Sequence, residues 1–147
     1  MSNEIKKTQI TAAVCIHENK VLCIEHVFGK AERVIDIPYG EVLEGEMPWD
    51  AVKRIVMEQT NIEVETKDLL GVKFDTEDTY TAFTVKYKDG ESKPEQRVMW
   101  IPVPAVCLRI ETPEISKKMV KAAVRDVKIK EIDCDGIGET AKLYGIR

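Results

Sequence analysis

GEVLEGEMPWDAVKRIVMEQTNI, residues 40–62, decides the fold of this chain. A loop rich in glycine and glutamate comes first. Pro48 at a first helical position and Asp50 in the first turn then predict a helix that runs to about Thr60. Asn61 favours the left-handed backbone conformation that ends a helix. The stretch therefore predicts a loop, a helix and the start of a further strand.

Apolar runs on both sides of this helix predict strands. The first two runs are joined by a tight turn at residues 17–20, and residues 88–94 are rich in turn formers. The predicted strands span residues 8–16, 21–27, 33–37, 62–64, 69–74, 80–87 and 97–103. A mixed succession of strands and helices indicates an α+β protein.

A second helix is predicted to begin at residues 112–114 and to run to about Val127. Its apolar residues recur every four positions, at Ile115, Met119, Ala123 and Val127. Its other side is basic, with Lys117, Lys118, Lys121, Arg125 and Lys128. This basic side could touch RNA or phosphate, although a solvated amphipathic helix explains it without any ligand.

The stretch at residues 40–62 resembles the signature box of the Nudix family of pyrophosphohydrolases, G-x5-E-x7-R-E-U-x-E-E-x-G-U, where U is a bulky aliphatic residue. The matching residues are Gly40, Glu46, Arg54, Val56, Glu58 and Ile62. Two weaker similarities are a proline-glycine turn at residues 38–40 and Trp100 in a late strand. The resemblance covers roughly residues 8–127.

The resemblance implies a Nudix-like α/β/α sandwich, with a mixed β-sheet between helices. We expect one domain, residues 1–147, with a core of about 8–127. Residues 128–147 form a tail that gives no clear structural signal. A homodimer is an open option, because exposed strand edges in this fold often support dimers.

The same resemblance implies chemistry on diphosphates. Nudix enzymes cleave a diphosphate linked to a nucleoside or related group with Mg2+ and an activated water. Mg2+ takes hard oxygen ligands, and the family supplies three helix glutamates at positions i, i+3 and i+4, which share one helix face. Here those positions hold Ile55, Glu58 and Gln59, so one carboxylate of three is present.

Candidate metal ligands are Glu58, Gln59 and an acidic residue from outside the box. Gln59 keeps an oxygen acceptor but lacks the negative charge that attracts a divalent ion. Glu95 is the preferred outside residue, with Glu77 or Asp78 as alternatives. The expected cofactor is Mg2+ or Mn2+ if the protein is active, and none otherwise.

Candidate catalytic residues are Glu58, Glu46 and Arg54. Because the arginine's family partner is replaced by isoleucine here, Arg54 is expected to pair with Glu46 or Glu58. Gly40 and Tyr39 are the candidate ligand-binding residues of the loop. Tyr39 would either crowd approaching phosphates or stack on a base.

Composition narrows the class of partner. The net charge is -4, which argues against general binding of nucleic acids, since phosphates require a basic surface. No apolar run approaches the length of a membrane span, and the N-terminal residues lack a signal-peptide core, so we expect a cytoplasmic protein. The cysteines at 15, 23 and 107 lie in apolar runs and are expected to act as small hydrophobes.

Two functions follow from these features. The first is a Nudix-like domain with a degraded metal site and weak or no hydrolysis, which binds a nucleotide-like or other phosphorylated small molecule, or a protein partner. The second is an active Mg2+-dependent pyrophosphohydrolase with an altered site that uses Glu58, Glu46 and an outside carboxylate. Loss of two ligand positions together favours the first.

Overall fold

The computed structural model describes residues 7–30, 32–125 and 129–145. The strands are β1 (Thr8–His17), β2 (Lys20–Phe28), β3 (Glu32–Asp36), β4 (Tyr39–Glu41), β5 (Ile62–Phe74), β6 (Asp78–Gly90), β7 (Val98–Pro102), β8 (Lys130–Ile132) and β9 (Leu143–Gly145). The α-helices are α1 (Pro48–Thr60), α2 (Val103–Leu108) and α3 (Glu114–Ala123). A short 3-10 turn spans Pro94–Gln96.

Seven of these strands form one mixed sheet in the order β3-β2-β1-β6-β5, with β4 paired to β1 and β7 paired to β2. The β1–β6 pair is parallel, and the other pairs in this sheet are antiparallel. A turn with left-handed Glu18 and Asn19 joins β1 to β2, as suits a two-residue hairpin. The predicted α+β fold with a mixed sheet is confirmed.

Apolar residues cover both faces of the sheet, which explains why β1 is almost continuously apolar. Ala12 and Val14 point to a cluster that includes Val106 of α2 and Val120 of α3. Their neighbours along β1 face the other way, because side chains alternate along a strand. Those neighbours join Val52 and Val56 of α1 in a second cluster. The sheet therefore lies between helices, as the sandwich requires.

The buried thiols behave as part of this core. Cys15 and Cys23 are fully buried and not disulfide-bonded. Burial raises the pKa of each thiol to about 12, so neither forms a thiolate at neutral pH. Cys107 is half-buried beside the α2–α3 cluster.

Several predicted element boundaries differ from the observed ones, and two of them change an element's type or length at its C-terminal end. Residues 97–103 were assigned to one strand, but β7 ends at Pro102 and Val103 begins α2. Pro104 in the first turn of α2 favours this change, since proline suits a helix start. The second predicted helix corresponds to α3, which ends at Ala123. The next residue, Val124, has a ψ of 0° and leaves the helical conformation. Its expected end at Val127, with Lys128, lies outside the described residues.

Strand β5 is also longer than predicted. It joins the predicted strands 62–64 and 69–74 into one, with irregular pairing against β6 near Leu69. The intervening residues 65–68 are polar, so the apolar pattern of a strand is interrupted there.

Among residues 7–30, 32–125 and 129–145, no helix is both long and apolar enough to cross a membrane.

The C-terminal segment forms a hairpin of β8 and β9 that docks beside α1. Tyr144 lies 5.9 Å from Phe83 in an edge arrangement and 6.3 Å from Trp49, measured between ring centroids. The Lys142 ammonium lies 5.1 Å from the centre of the Trp49 ring. No local pattern predicted this hairpin, because Tyr144 packs against Phe83 and Trp49, which lie far from it in the sequence.

We predict that Tyr144→Ala lowers the free energy of unfolding by about 1–3 kcal/mol, through lost ring contacts and burial. Urea denaturation measures the change. Phe74→Ala is the matched control, because Phe74 is 80% exposed. A surface aromatic should change stability by about 0.5 kcal/mol or less. Equal effects in the two variants would contradict the docking of the hairpin.

Candidate functional site

The candidate site is built from β4, the loop of residues 42–47 and one face of α1. Gly45 has a φ of +81°, a conformation that a side chain would strain. At the other end of α1, Asn61 has a φ of 58° and its N–H donates to the Met57 carbonyl at 2.9 Å. The left-handed helix end predicted at Asn61 is confirmed.

Arg54 is the hub of the polar contacts in this site. Its Nε donates to Glu46 Oε2 at 2.9 Å and its Nη2 to Glu46 Oε1 at 3.0 Å, a two-pronged pair. Nη1 donates to Glu58 Oε2 at 3.1 Å, and Nη2 also donates to the Glu41 carbonyl at 2.8 Å. The sequence predicted pairing with Glu46 or Glu58, and the structure shows both.

Glu46 is fully engaged by these contacts. Besides its two bonds from Arg54, its Oε1 accepts the Leu43 N–H at 3.1 Å. The hydrogen bonds from Arg54 lower the pKa of the Glu46 carboxyl, and the Leu43 N–H adds to that shift. The same pair raises the pKa of the Arg54 guanidinium. Glu46 therefore ties the loop to the helix as a charged group with no oxygen left unpaired.

Ile55 occupies the first of the three positions where the family carries a metal-binding glutamate. Its side chain is 2% exposed. A Cβ built on Gly40 would come within 3.1 Å of the Ile55 Cδ1 and Cγ1 atoms, tighter than ordinary packing allows. In this chain Gly40 is thus the close packing partner of Ile55. Ligand binding by Gly40 stays a prediction.

Gln59 is also committed to a structural contact. Its Nε2 donates to the Tyr39 carbonyl at 2.8 Å, which joins α1 to β4. A carboxylate has no proton to donate, so glutamate could not make this bond when ionised. Gln59 therefore uses its N–H2 donor group, which the ionised glutamate of the family lacks.

The remaining metal candidates lie near the C-terminal half of α1. Glu58 has 60% of its side chain exposed, and Arg54 contacts only its Oε2. Glu95 is exposed in the 3-10 turn, whose Gln96 Nε2 lies 3.5 Å from the Glu58 carbonyl. Across residues 7–30, 32–125 and 129–145, no three His, Cys, Asp or Glu side chains converge in a way that could hold a metal ion.

The alternative outside carboxylates lie at the start of β6 and just before it, not on α1. Asp78 begins β6 and forms an ion pair with Lys73 of β5, with Oδ1 and Nζ 3.0 Å apart. The backbone carbonyl of Glu77, in the turn before β6, accepts the Thr8 N–H at 3.2 Å. The donor set of the box therefore does not fit the three-carboxylate metal site that the family typically uses with a divalent ion.

Tyr39 lies where the site meets a cavity that is lined by residues of β1, β3, β6 and α3. Tyr39 is 41% exposed, and the centroid of its ring lies 6.1 Å from that of the His26 ring. Sequence analysis missed Asp36, a buried carboxyl that lines that cavity. The sequence does contain a signal for Asp36, because a charged residue within the apolar strand segment at residues 34–37 requires a partner or a function.

Comparison with known protein families agrees with the resemblance seen in residues 40–62. The NUDIX domain family model matches residues 7–123. No match was found among the curated proteins.

Solved structures of several bacterial proteins resemble this fold. The NUDIX hydrolase from Nitrosomonas europaea superposes with a TM-score of 0.66 at 20% identity, over 80% of this chain and 88% of its own. A NUDIX-family hydrolase from Clostridium perfringens gives 0.67 at 13% identity, over 80% and 96%. The MutT protein from Bacillus halodurans gives 0.60 at 23% identity, over 78% and 80%. At these identities the similarity concerns the fold.

We predict that Arg54→Met destabilises the protein by about 1–3 kcal/mol at neutral pH, because it leaves Glu46 charged without its partner. The pKa of Glu46 is lowered in the folded protein, so the pair stabilises above the ordinary value of 4.5 and its contribution is lost as the pH falls through the lowered value. The gap between variant and wild type should therefore shrink in strongly acidic solution.

Denaturant unfolding across a pH series tests this prediction. Lys67→Met is the control, because Lys67 forms an exposed pair with Glu65 and such pairs contribute little. A deficit in Arg54→Met that persists unchanged in acid would show that the lost stability comes from packing or from the bond to the Glu41 carbonyl, and not from the ion pair.

Proposed function

Because the chain belongs to the Nudix family, we propose that it keeps the family's fold but has weak or no pyrophosphohydrolase activity, and serves to bind a nucleotide-like or other phosphorylated small molecule. Mg2+ is bound in proteins through oxygen ligands, with carboxylates supplying the charge. Of the three helix positions that would supply carboxylates, only Glu58 does so here.

The observation that carries the proposal is the burial of Ile55 against Gly40. A missing ligand on an exposed surface could be replaced by water, and the metal could still bind. Ile55 is different, because its side chain fills the space between α1 and β4 and offers no oxygen. A hydrated ion cannot enter that space without displacing packed apolar atoms.

The contacts of Gln59 and Glu46 support the same conclusion. Gln59 donates its amide N–H2 to the Tyr39 carbonyl, so an N–H donor and not a negative charge is directed at β4. Glu46 gives both oxygens to Arg54 and could act as a base only after that pair opens. The groups that would bind metal or activate water are therefore used to hold the loop and helix together.

A second candidate function, an active hydrolase with an altered site, rests on Glu58. Its Oε2 contacts Arg54, and its carboxylate is largely exposed. Substrate phosphates supply part of a metal's coordination in many sites, so Glu58 with Glu95 could suffice when Mg2+ or Mn2+ arrives with a nucleotide. The two candidate functions differ in the rate of pyrophosphate hydrolysis that they predict, and this rate can be measured.

The proposal predicts weak or no release of phosphate or pyrophosphate from nucleoside di- and triphosphates, sugar nucleotides or dinucleoside polyphosphates, with Mg2+ or Mn2+. Binding of the same compounds is measured in parallel by calorimetry. Turnover that disappears in Glu58→Gln, but survives in Glu63→Gln on β5, would establish the active-enzyme alternative.

A gain-of-function pair tests the metal site itself. We predict that Ile55→Glu combined with Gln59→Glu binds Mn2+ about tenfold or more tightly than the wild type, since it returns two carboxylates to the face of Glu58. Without metal this variant should be less stable, because it buries a charge and loses the bond to the Tyr39 carbonyl. Added Mn2+ should raise its melting temperature.

The matched control is Ile55→Gln, which introduces a polar side chain of similar length without charge. Mn2+ titration with calorimetry and thermal melting compares the three proteins. If the double variant folds and still binds Mn2+ no better than the control, then the assignment of these positions to the family's metal ligands is wrong.

A further inference from the structure

We propose that a cavity at the C-terminal end of α1 binds a methylated ammonium group, such as a trimethylammonium, between the rings of His17, Tyr87 and Trp100. The cavity has a volume of about 360 Å3 and is lined by residues of β1, β5, β6 and β7. This site goes beyond the proposed function and does not depend on it. Among its described lining residues, none is a candidate metal ligand and none lines the Asp36 cavity.

The two cavities lie on opposite faces of the sheet. Ile62, Tyr87 and Trp100 belong to or pack against the apolar cluster that α1 covers. The Asp36 cavity is instead lined by Ser116 of α3, which packs on the other face. A small molecule bound in one cavity cannot reach the other, because the sheet separates them. The cavity at the end of α1 is therefore a separate site.

Three aromatic rings line this cavity and contact one another. The His17 and Tyr87 rings are stacked, with centroids 4.5 Å apart and planes inclined by 25°. The centroid of the Trp100 ring lies 6.2 Å from that of Tyr87 and 6.0 Å from that of His17. The face of an aromatic ring carries partial negative charge and attracts a cation within about 6 Å of its centroid. Three rings this close together can attract one cation at the same time.

The rings meet at the protein surface and not inside the core. His17 has 44% of its side chain exposed, and Tyr87 and Trp100 are half-buried. Packing alone favours complete burial of such rings, since hydrophobic stabilisation grows with the apolar area removed from water. The ring surface that the protein leaves uncovered is therefore available to a ligand.

Close backbone contacts hold the rim of the cavity in place. Gly90 has a φ of +103°, and a Cβ there would come within 2.5 Å of the Asn61 carbonyl oxygen. The Tyr87 hydroxyl donates to the Gly90 carbonyl at 2.9 Å, and Asn61 Nδ2 donates to the Glu91 carbonyl at 2.9 Å. These contacts tie the end of β6 to the end of α1. Because the rim is already ordered, a ligand binds without a large loss of conformational entropy.

The charges around the cavity favour a cation. Its described lining contains the Glu91 carboxylate and neither a lysine nor an arginine. Glu91 is exposed, and no basic side chain of the described residues forms an ion pair with it. Glu18 adds a second carboxylate nearby, with its Oε1 3.9 Å from His17 Nε2. An anion would be repelled by these carboxylates and by the ring faces, whereas a cation would be attracted.

The same features favour a methylated ammonium over a metal ion or a bare ammonium. A metal ion such as Mg2+ or Ca2+ needs several oxygen ligands, and Glu91 is the one carboxylate among the described lining residues. A bare ammonium is strongly hydrated and carries N–H donors that need acceptors. Methyl groups remove these donors and present an apolar surface to the rings. The volume of about 360 Å3 lies within the range of about 300–1,000 Å3 that is typical of small-molecule sites.

Calorimetry on the full chain compares choline with dimethylbutanol, a neutral analogue in which a carbon replaces the quaternary nitrogen. A mildly alkaline buffer keeps histidine side chains uncharged. The two molecules have the same shape, so the difference in affinity reports the effect of the charge. We expect one choline to bind per chain, about tenfold or more tightly than dimethylbutanol.

A trimethylammonium group can belong to a free small molecule or to a modified lysine of another protein. A short peptide with one trimethyllysine is therefore titrated in parallel, against the same peptide with unmodified lysine. The tighter of the two methylated ligands identifies the source of the group.

Variants assign the binding to the rings and to the carboxylate. His17→Leu and Glu91→Gln should each weaken choline binding by about two- to fivefold. Trp100→Leu should weaken it further, and Trp100→Phe, which keeps a ring, should retain more affinity than Trp100→Leu. The control is Glu114→Gln on α3, an exposed carboxylate on the other face of the sheet, and it should bind choline like the wild type. Circular dichroism melting confirms that each variant is folded.

Three results would each overturn the proposal. The first is that neither choline nor the trimethyllysine peptide binds, and the second is that dimethylbutanol binds as tightly as choline. The third is that His17→Leu, Glu91→Gln and Trp100→Leu bind choline as the wild type does. None of these results bears on the proposed function, which is tested by hydrolysis and binding of phosphorylated compounds.

Discussion

The two-pronged ion pair between Arg54 and Glu46 is the interaction on which the loop and helix depend. It joins the last residue but one before α1 to the second turn of that helix, at 2.9 and 3.0 Å. The same guanidinium holds the Glu41 carbonyl, and so the end of β4. Because Arg54 is partly buried and its bonds are charge-assisted, it fixes the loop more firmly than an exposed pair would.

Once this loop is fixed, α1 presents one defined face to β4, and the chemistry of the site depends on which side chains lie on that face. In this chain the face carries Ile55 and Gln59. Ile55 packs against Gly40, and Gln59 donates to the Tyr39 carbonyl. A surface that would concentrate negative charge has become one that stabilises the contact between helix and strand. The fold and the catalytic site are thus separable, since the first needs packing and the second needs converging carboxylates.

Polar groups without an evident structural need are found instead in the cavity lined by Asp36, Tyr80 and Ser116. The buried carboxyl there has one oxygen fixed by two bonds, and the tyrosine hydroxyl beside it has no partner among the described residues. Tyr39 lines the same cavity and also receives the bond from Gln59, so the altered helix face and the cavity share one residue.

The sequence by itself determined the features that depend on neighbouring residues. Pro48, Asp50 and Asn61 set the bounds of α1, because helix starts and ends are governed by local backbone preferences. Apolar periodicity likewise located most strands and, with the box, the family. Periodicity failed where polar residues continue β5 and where Pro104 starts α2 within an apolar run.

Only the tertiary structure decided what the site residues do. The Gln59 amide and the Tyr39 carbonyl are 20 residues apart, and Asp36 and Ser116 are 80 apart. No local pattern specifies such pairs, because a side chain's partner depends on how whole elements pack. The sequence therefore showed which carboxylates were missing from the helix, while the packing of α1, β4 and α3 showed what their replacements and the buried Asp36 contact instead.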